Sequence, residues 1–215
     1  EMFETDVQYV VDEYMAGHIN EEHFIKSSRS WENYASDYRK LIEFSKEKGV
    51  PVIAANAPRR YVNMVRRLGK DSLLKLPEEG KRFLPPLPYP DASAEYEKKF
   101  TAIMSAHHSV MSKAIDDRGE ENSQKILSDV PDDSEIEEKN IDELKVFDRM
   151  LAAQNLWDSS MAWSIASYLE KNSKYRVLHV NGSFHTDFSL GIPEQLNNYS
   201  PNLDLLTVTI VPTLD

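Results

Sequence analysis

The chain has 215 residues and a mass of 24.7 kDa, and its 40% hydrophobic and 28% charged residues suit a soluble chain with one substantial core. A formal net charge of -11 and a pI near 5.1 argue against non-specific attraction to nucleic acid or an acidic membrane face, which need a basic surface. The absence of cysteine excludes disulfides, thiolate metal sites and cysteine nucleophiles, so His, carboxylates and Tyr are the candidate ligands.

No run approaches the roughly 18 apolar residues of a membrane helix, and no signal peptide is visible. The sequence starts at Glu1 without an initiator methionine and reads as a mature or truncated product. Phe3, Val7, Val10, Val11 and Tyr14 follow helical spacing, with Gly17 as a stop. A short acidic helix is predicted from Asn20, its cap, to Lys26. Trp31, Tyr34, Tyr38, Leu41 and Ile42 mark the face of a longer helix, capped by Ser30 and ended by Gly49. The apolar run Pro51 to Ala55 suits a buried parallel strand. A helix follows, with Pro58 in its first turn, an apolar face of Tyr61, Val62, Val65 and Leu68, and Gly69 at its end.

Residues 70–140 change in character, with clustered prolines, an acidic run around 132–138 and no convincing strand. They read as a helical insertion or lid. Phe100, Ile103, Met104, His107, Met111 and Ile115 share one helix face there, while 116–140 reads as loop or disorder. Order returns at Ile141, with a long helix or helix pair to about Asn172. Tyr175 to Asn181 alternates as a strand, and 203–211 reads as another. The predicted architecture is α/β: a parallel sheet flanked by helices, built from 1–69 and 141–215, with the helical insertion between them.

Chemistry concentrates where these strands end. Gly182-Ser183-Phe184-His185 reads as a turn in which Gly182 gains positive φ and leaves His185 at a carboxyl strand edge, where open α/β sheets bind ligands. Asn56, Arg59 and Arg60 follow the other strand, and Glu1 stands at the end of a strand largely outside the sequence. A His and a Glu at neighbouring strand ends suit a divalent metal, and the two arginines suit a carboxylate or phosphate. The plainer readings are a backbone-bonded turn histidine and an exposed, acid-paired arginine pair. His107 and His108 among methionines read as core packing or as a haem pocket wall, and Asp158 as a polar brace or a solvated position.

Three ordered blocks resemble the ChaN family of haem-binding uptake lipoproteins: residues 51–62 (PVIAANAPRRYV), 153–162 (AQNLWDSSMA) and 177–185 with Gly191-Ile192-Pro193. The resemblance runs along most of the chain except residues 70–140. It implies kinship with Tiki-type metalloproteases and erythromycin esterases, whose sites use two GxxH-like motifs and a strand-end Glu. His185 matches the second histidine and Glu1 the glutamate. The first motif is expected a few tens of residues before Glu1 and is not in this sequence, nor is the amino-terminal strand.

By this resemblance the chain is expected to bind haem for bacterial iron uptake as a homodimer, in the periplasm or at the outer membrane or cell surface. Its membrane attachment is expected only through a lipid anchor outside this chain. The resemblance implies a tyrosine iron ligand, which the motifs do not align; Tyr61, Tyr89 and Tyr96 are the candidates, with His107 and His108 as alternatives. The expected binding set is Asn56, Arg59, Arg60, Tyr61, His107, His108, Asp158, Gly182 and His185. The alternative is a metal-dependent hydrolase, with Glu1 and His185 as catalytic or metal-holding groups, Arg59 fixing an anionic substrate group, and Asn56 and Asp158 orienting their neighbours. A binding module without chemistry is the third possibility.

Overall fold

A single 39-residue helix, α7 (Asp133–Lys171), is the spine against which the helices 59–68 and 192–199 pack. The computed structural model describes residues 1–116 and 133–210, with side chains described for 1–105 and 144–210. Ahead of the spine come α1 (Gln8–Met15), α2 (Glu21–Ser27), α3 (Arg39–Lys48), α4 (Arg59–Leu68), the single turn α5 (Glu78–Lys81) and α6 (Ala94–Asp116); α8 (Ile192–Tyr199) follows it. No helix among the described residues is long and apolar enough to cross a membrane.

The local signals for these helices are physical. The Asn20 side chain accepts a hydrogen bond from the His23 amide at 2.9 Å and so caps α2. Gly49 ends α3 at φ 64, a left-handed conformation that costs a residue with a Cβ about 1–2 kcal/mol. The start of α3 differs from expectation. Ser30 is not its cap, because a wide π turn over Tyr34–Tyr38 precedes Arg39. The spine is one helix and begins at Asp133, eight residues before the predicted Ile141, so 133–140 is helical rather than loop. The rest of that predicted loop, 117–132, lies outside the described residues.

Three apolar clusters form the core. Phe3, Val7, Val11, Tyr14 and Phe24 build the first, where the Tyr14 and Phe24 rings stack at 4.2 Å. Val62, Val65, Leu73, Tyr89 and Leu156 build the second, between α4, the 70–90 segment and α7. Met161, Ala162, Ile165, Ile192 and Leu196 join α7 to α8 in the third.

The predicted parallel sheet is not formed. Among the described residues there is no sheet, and the one backbone bridge between extended segments joins Glu4 to Asn56. Residues 50–55, 175–181 and 203–210 form neither helix nor sheet: β-branched content favours an extended backbone, but a strand also needs a neighbour about 4.8 Å away. In the first of these segments the pairing groups go elsewhere. The Gln8 amide donates to the Val52 carbonyl at 3.0 Å and accepts from the Ala54 amide at 2.7 Å, replacing a neighbouring strand on that edge. Asn56 spends both backbone groups on Phe3 and Thr5. Leu178, Leu206 and Ile210 are almost fully exposed, so alternation in those segments buries little.

Candidate functional site

Asp158 lies on α7 between Leu156 of the second cluster and Met161 of the third, and it is fully buried. A polar ladder fixes this stretch of α7. Asn155 Nδ2 donates to the Pro90 carbonyl at 2.8 Å, Gln195 Nε2 donates to Asn155 Oδ1 at 2.9 Å, and Ser159 Oγ donates to Gln195 Oε1 at 3.1 Å. Each buried polar group thereby finds a partner and avoids the cost of about 1–3 kcal/mol for an unpaired one.

Asp158 holds two side chains. Its Oδ1 lies 2.6 Å from His185 Nδ1, and its Oδ2 accepts from the Tyr96 hydroxyl. The other ring nitrogen, His185 Nε2, faces Glu1 Oε1 at 3.4 Å, while Glu1 Oε2 accepts from the Gly182 amide at 2.6 Å. Burial opposes charge on the imidazole, yet the hydrogen bonds and attraction of Asp158 and Glu1 together outweigh it and raise its pKa to about 9. Burial also opposes charge on Glu1, but His185 and the Gly182 amide bring its pKa down to about 2. Burial raises the Asp158 carboxyl above its ordinary value, although the hydrogen bonds from His185 and Tyr96 act the other way. With an acid on each side, the shared proton belongs on His185, which is therefore a buried imidazolium at neutral pH. Burial and the adjacent Asp158 raise the Tyr96 phenol, which stays protonated as a donor.

The loop carrying His185 is shaped by unusual backbone. Gly182 does not use positive φ as predicted; it sits at φ -65. Left-handed φ falls instead on Phe188 (64), Ser189 (59) and Gly191 (71). At Gly191 a Cβ would meet the His185 carbonyl oxygen at 2.6 Å and Asp158 Oδ2 at 3.1 Å, so only glycine allows α8 to start here. Lys99 of α6 spans the loop, donating to the carbonyls of Phe184 at 2.5 Å and Asp187 at 3.1 Å. Its half-buried ammonium is lowered in pKa by burial.

Glu1 and His185 border a cleft of about 400 Å³ whose wall includes Trp31, Trp157, Phe184, Asn56 and Arg59. The structure thus brings together Glu1, Asn56, Arg59, Gly182 and His185, with Asp158 behind the histidine. Asn56 is committed to structure here, donating to the Glu1 carbonyl at 2.9 Å. Arg60 turns away: it pairs with Asp6 and stacks 4.4 Å over the Tyr61 ring. Tyr61 goes with it and does not border the cleft. Tyr89 and Tyr96 are buried with their hydroxyls bonded to the Ala152 carbonyl and to Asp158. His107 and His108 fall on α6, but their side chains lie outside the described residues.

Sequence reasoning missed Trp31, Gln154, Trp157 and Lys99. Gln154 and Trp157 stand one helical turn apart and immediately beside Asp158, a signal that was present. Trp31 carried none, because its approach is tertiary.

Two arginines in the first turn of α4 oppose the helix dipole, which favours anions there. Arg60 is compensated by Asp6, whereas Arg59 is largely exposed and reaches Glu4 only at 3.9 Å. No group of three metal-competent acids or histidines occurs among the described residues, and Glu1 and His185 are the pair brought together at the cleft. For haem, the tryptophans, Phe184 and Arg59 fit an apolar macrocycle with carboxylate arms. No unengaged Tyr or His faces an iron in this cleft among the described side chains.

No curated protein and no solved structure matches the chain. A family model described as haem-binding uptake, Tiki superfamily, ChaN matches residues 1–196. With the match covering most of its length, the chain belongs to the ChaN family of haem-binding uptake proteins.

Proposed function

We infer that this protein binds haem through the cleft beside His185, with Arg59 engaging a propionate and Trp31, Trp157 and Phe184 contacting the macrocycle edge. The observation that carries the reading is Arg59: a largely exposed cation whose acid, Glu4, stands 3.9 Å away, at a helix end that prefers anions, on the rim of an aromatic cleft. At about 400 Å³ the cleft is near the lower end of the roughly 300–1,000 Å³ usual for ligand pockets, so it takes part of the macrocycle. A second copy supplies the opposite wall, as a homodimer. His107 and His108 remain the iron-ligand candidates, since Tyr61 does not border the cleft and Tyr89 and Tyr96 spend their hydroxyls inside the protein. On the family resemblance, the protein works in the bacterial periplasm or at the outer membrane or cell surface, tethered by a lipid.

The test is a haemin titration followed by the Soret band and molecular mass together. A saturable shift with conversion to dimer is expected. Arg59→Ala should weaken binding by about tenfold or more, the scale of a hydrogen bond to a charged group. Absence of a saturable shift would sink the reading.

The Asp158–His185–Glu1 chain favours a second reading, a metal-dependent hydrolase, because a carboxylate behind a histidine is how such ligands are oriented. There Glu1 and His185 would hold a divalent ion, which would supply an activated water for hydrolysis. Hydrolysis that requires both added metal and His185 would establish it.

A further inference from the structure

His185 is reached from α6 at several points. Tyr96, Lys99 and Phe100 lie at spacings of three and four residues and so share one face of that helix. Tyr96 bonds Asp158, which in turn holds the imidazole. Lys99 bonds the carbonyls of Phe184 and Asp187, on either side of His185. The Phe184 ring sits edge-on to Tyr96 at 5.8 Å and to Phe100 at 6.4 Å, and the Lys99 ammonium lies 4.6 Å from its centre. The loop so gripped carries two consecutive non-glycine residues in the left-handed region, Phe188 and Ser189. Such strain persists only where neighbouring contacts overdetermine it. Phe188 is 86% exposed, so its own burial contributes little to holding it.

We propose that Lys99 is a positioning residue: it latches the strained 183–191 loop to α6 and thereby keeps His185 between Asp158 and Glu1. Tyr96 fixes the Asp158 side of the same arrangement, so the placement of α6 sets how the histidine is presented to the cleft. Without Lys99 the loop relaxes its left-handed residues, and the imidazole leaves Asp158 before the core opens. The proposal stands on contacts within the chain and does not depend on what the cleft binds.

The experiment is NMR observation of the downfield Nδ1–H proton of His185 in the full chain, with its exchange with water measured beside the amide of Leu156 as a core reference. In Lys99→Met the His185 proton should exchange about tenfold faster or more, the scale of losing bonds from a charged donor, while the Leu156 amide keeps its protection. Lys99→Arg, which can still reach the carbonyls, should recover most of that protection. Ser189→Gly in the otherwise unaltered protein should slow the exchange by relieving strain, and added to Lys99→Met it should restore part of the loss. Unchanged exchange in Lys99→Met, or a loss shared equally by Leu156, overturns the latch. If Lys99→Met does not fold, Ser189→Gly decides the matter alone, with unchanged or faster exchange counting against the proposal.

Discussion

The protein holds two clusters of charge that both draw on its first six residues, and they answer to different physics. At the rim Asp6 pairs with Arg29 and Arg60, and Glu4 pairs with Arg29 at 2.7 Å; both arginine side chains are nearly half exposed, over carboxylates that are mostly buried. In the interior Asp158, His185 and Glu1 form a chain with Asp158 fully buried. Water reaches the arginines of the first cluster and partly replaces a partner they lose. The second has no substitute solvent, so removing one member strands the others.

The sharpest test is Asp158→Ala, which leaves a buried imidazolium and the Tyr96 hydroxyl without their acceptor. Urea unfolding should show a loss of about 3–5 kcal/mol. A loss below about 1 kcal/mol would mean that the interior cluster behaves like the surface one. The pH dependence comes next. Because the folded pKa of His185 is about 9 against an ordinary 6.5, its contribution is complete below pH 6.5 and disappears as pH rises through 9. Unfolding free energy should therefore fall by up to about 3 kcal/mol across that window, and His185→Gln should flatten the fall. Gly191→Ala places a methyl against the His185 carbonyl at a positive φ and should cost about 2 kcal/mol or more, measured by the same denaturation. Asp6→Asn, which leaves Arg60 without its acid while Arg29 keeps Glu4, should cost about 1 kcal/mol and the effect should shrink in high salt. A salt-insensitive loss of several kcal/mol there would erase the contrast.

The helices were legible because their information is local. Val62 and Val65 lie one turn apart and both are buried, and Gly49 and Gly69 stop α3 and α4 as their spacing implies. The predicted sheet does not form because β-branched composition favours an extended backbone and says nothing about a partner; the partner of Val52 is the side chain of Gln8, 44 residues earlier in sequence. Glu1, Asn56 and His185 were singled out correctly as neighbours because the carboxyl ends of extended segments still converge here without a ladder. Arg60 and Tyr61 were separated from them by a single ion pair with Asp6, which no periodicity encodes. Asp158 looked ambiguous on a helix because burial depends on α8 and the His185 loop, both brought in from later sequence.

Gln8 has a consequence for handling the protein. By engaging the Val52 carbonyl and the Ala54 amide it closes an edge that could otherwise recruit a strand from another molecule. Residues 205–210 form no helix or sheet and expose Leu206, Val208 and Ile210. Adhesion in concentrated solution should therefore begin at that segment, and Gln8→Leu should open a second point of adhesion, lowering the concentration at which the protein remains monodisperse.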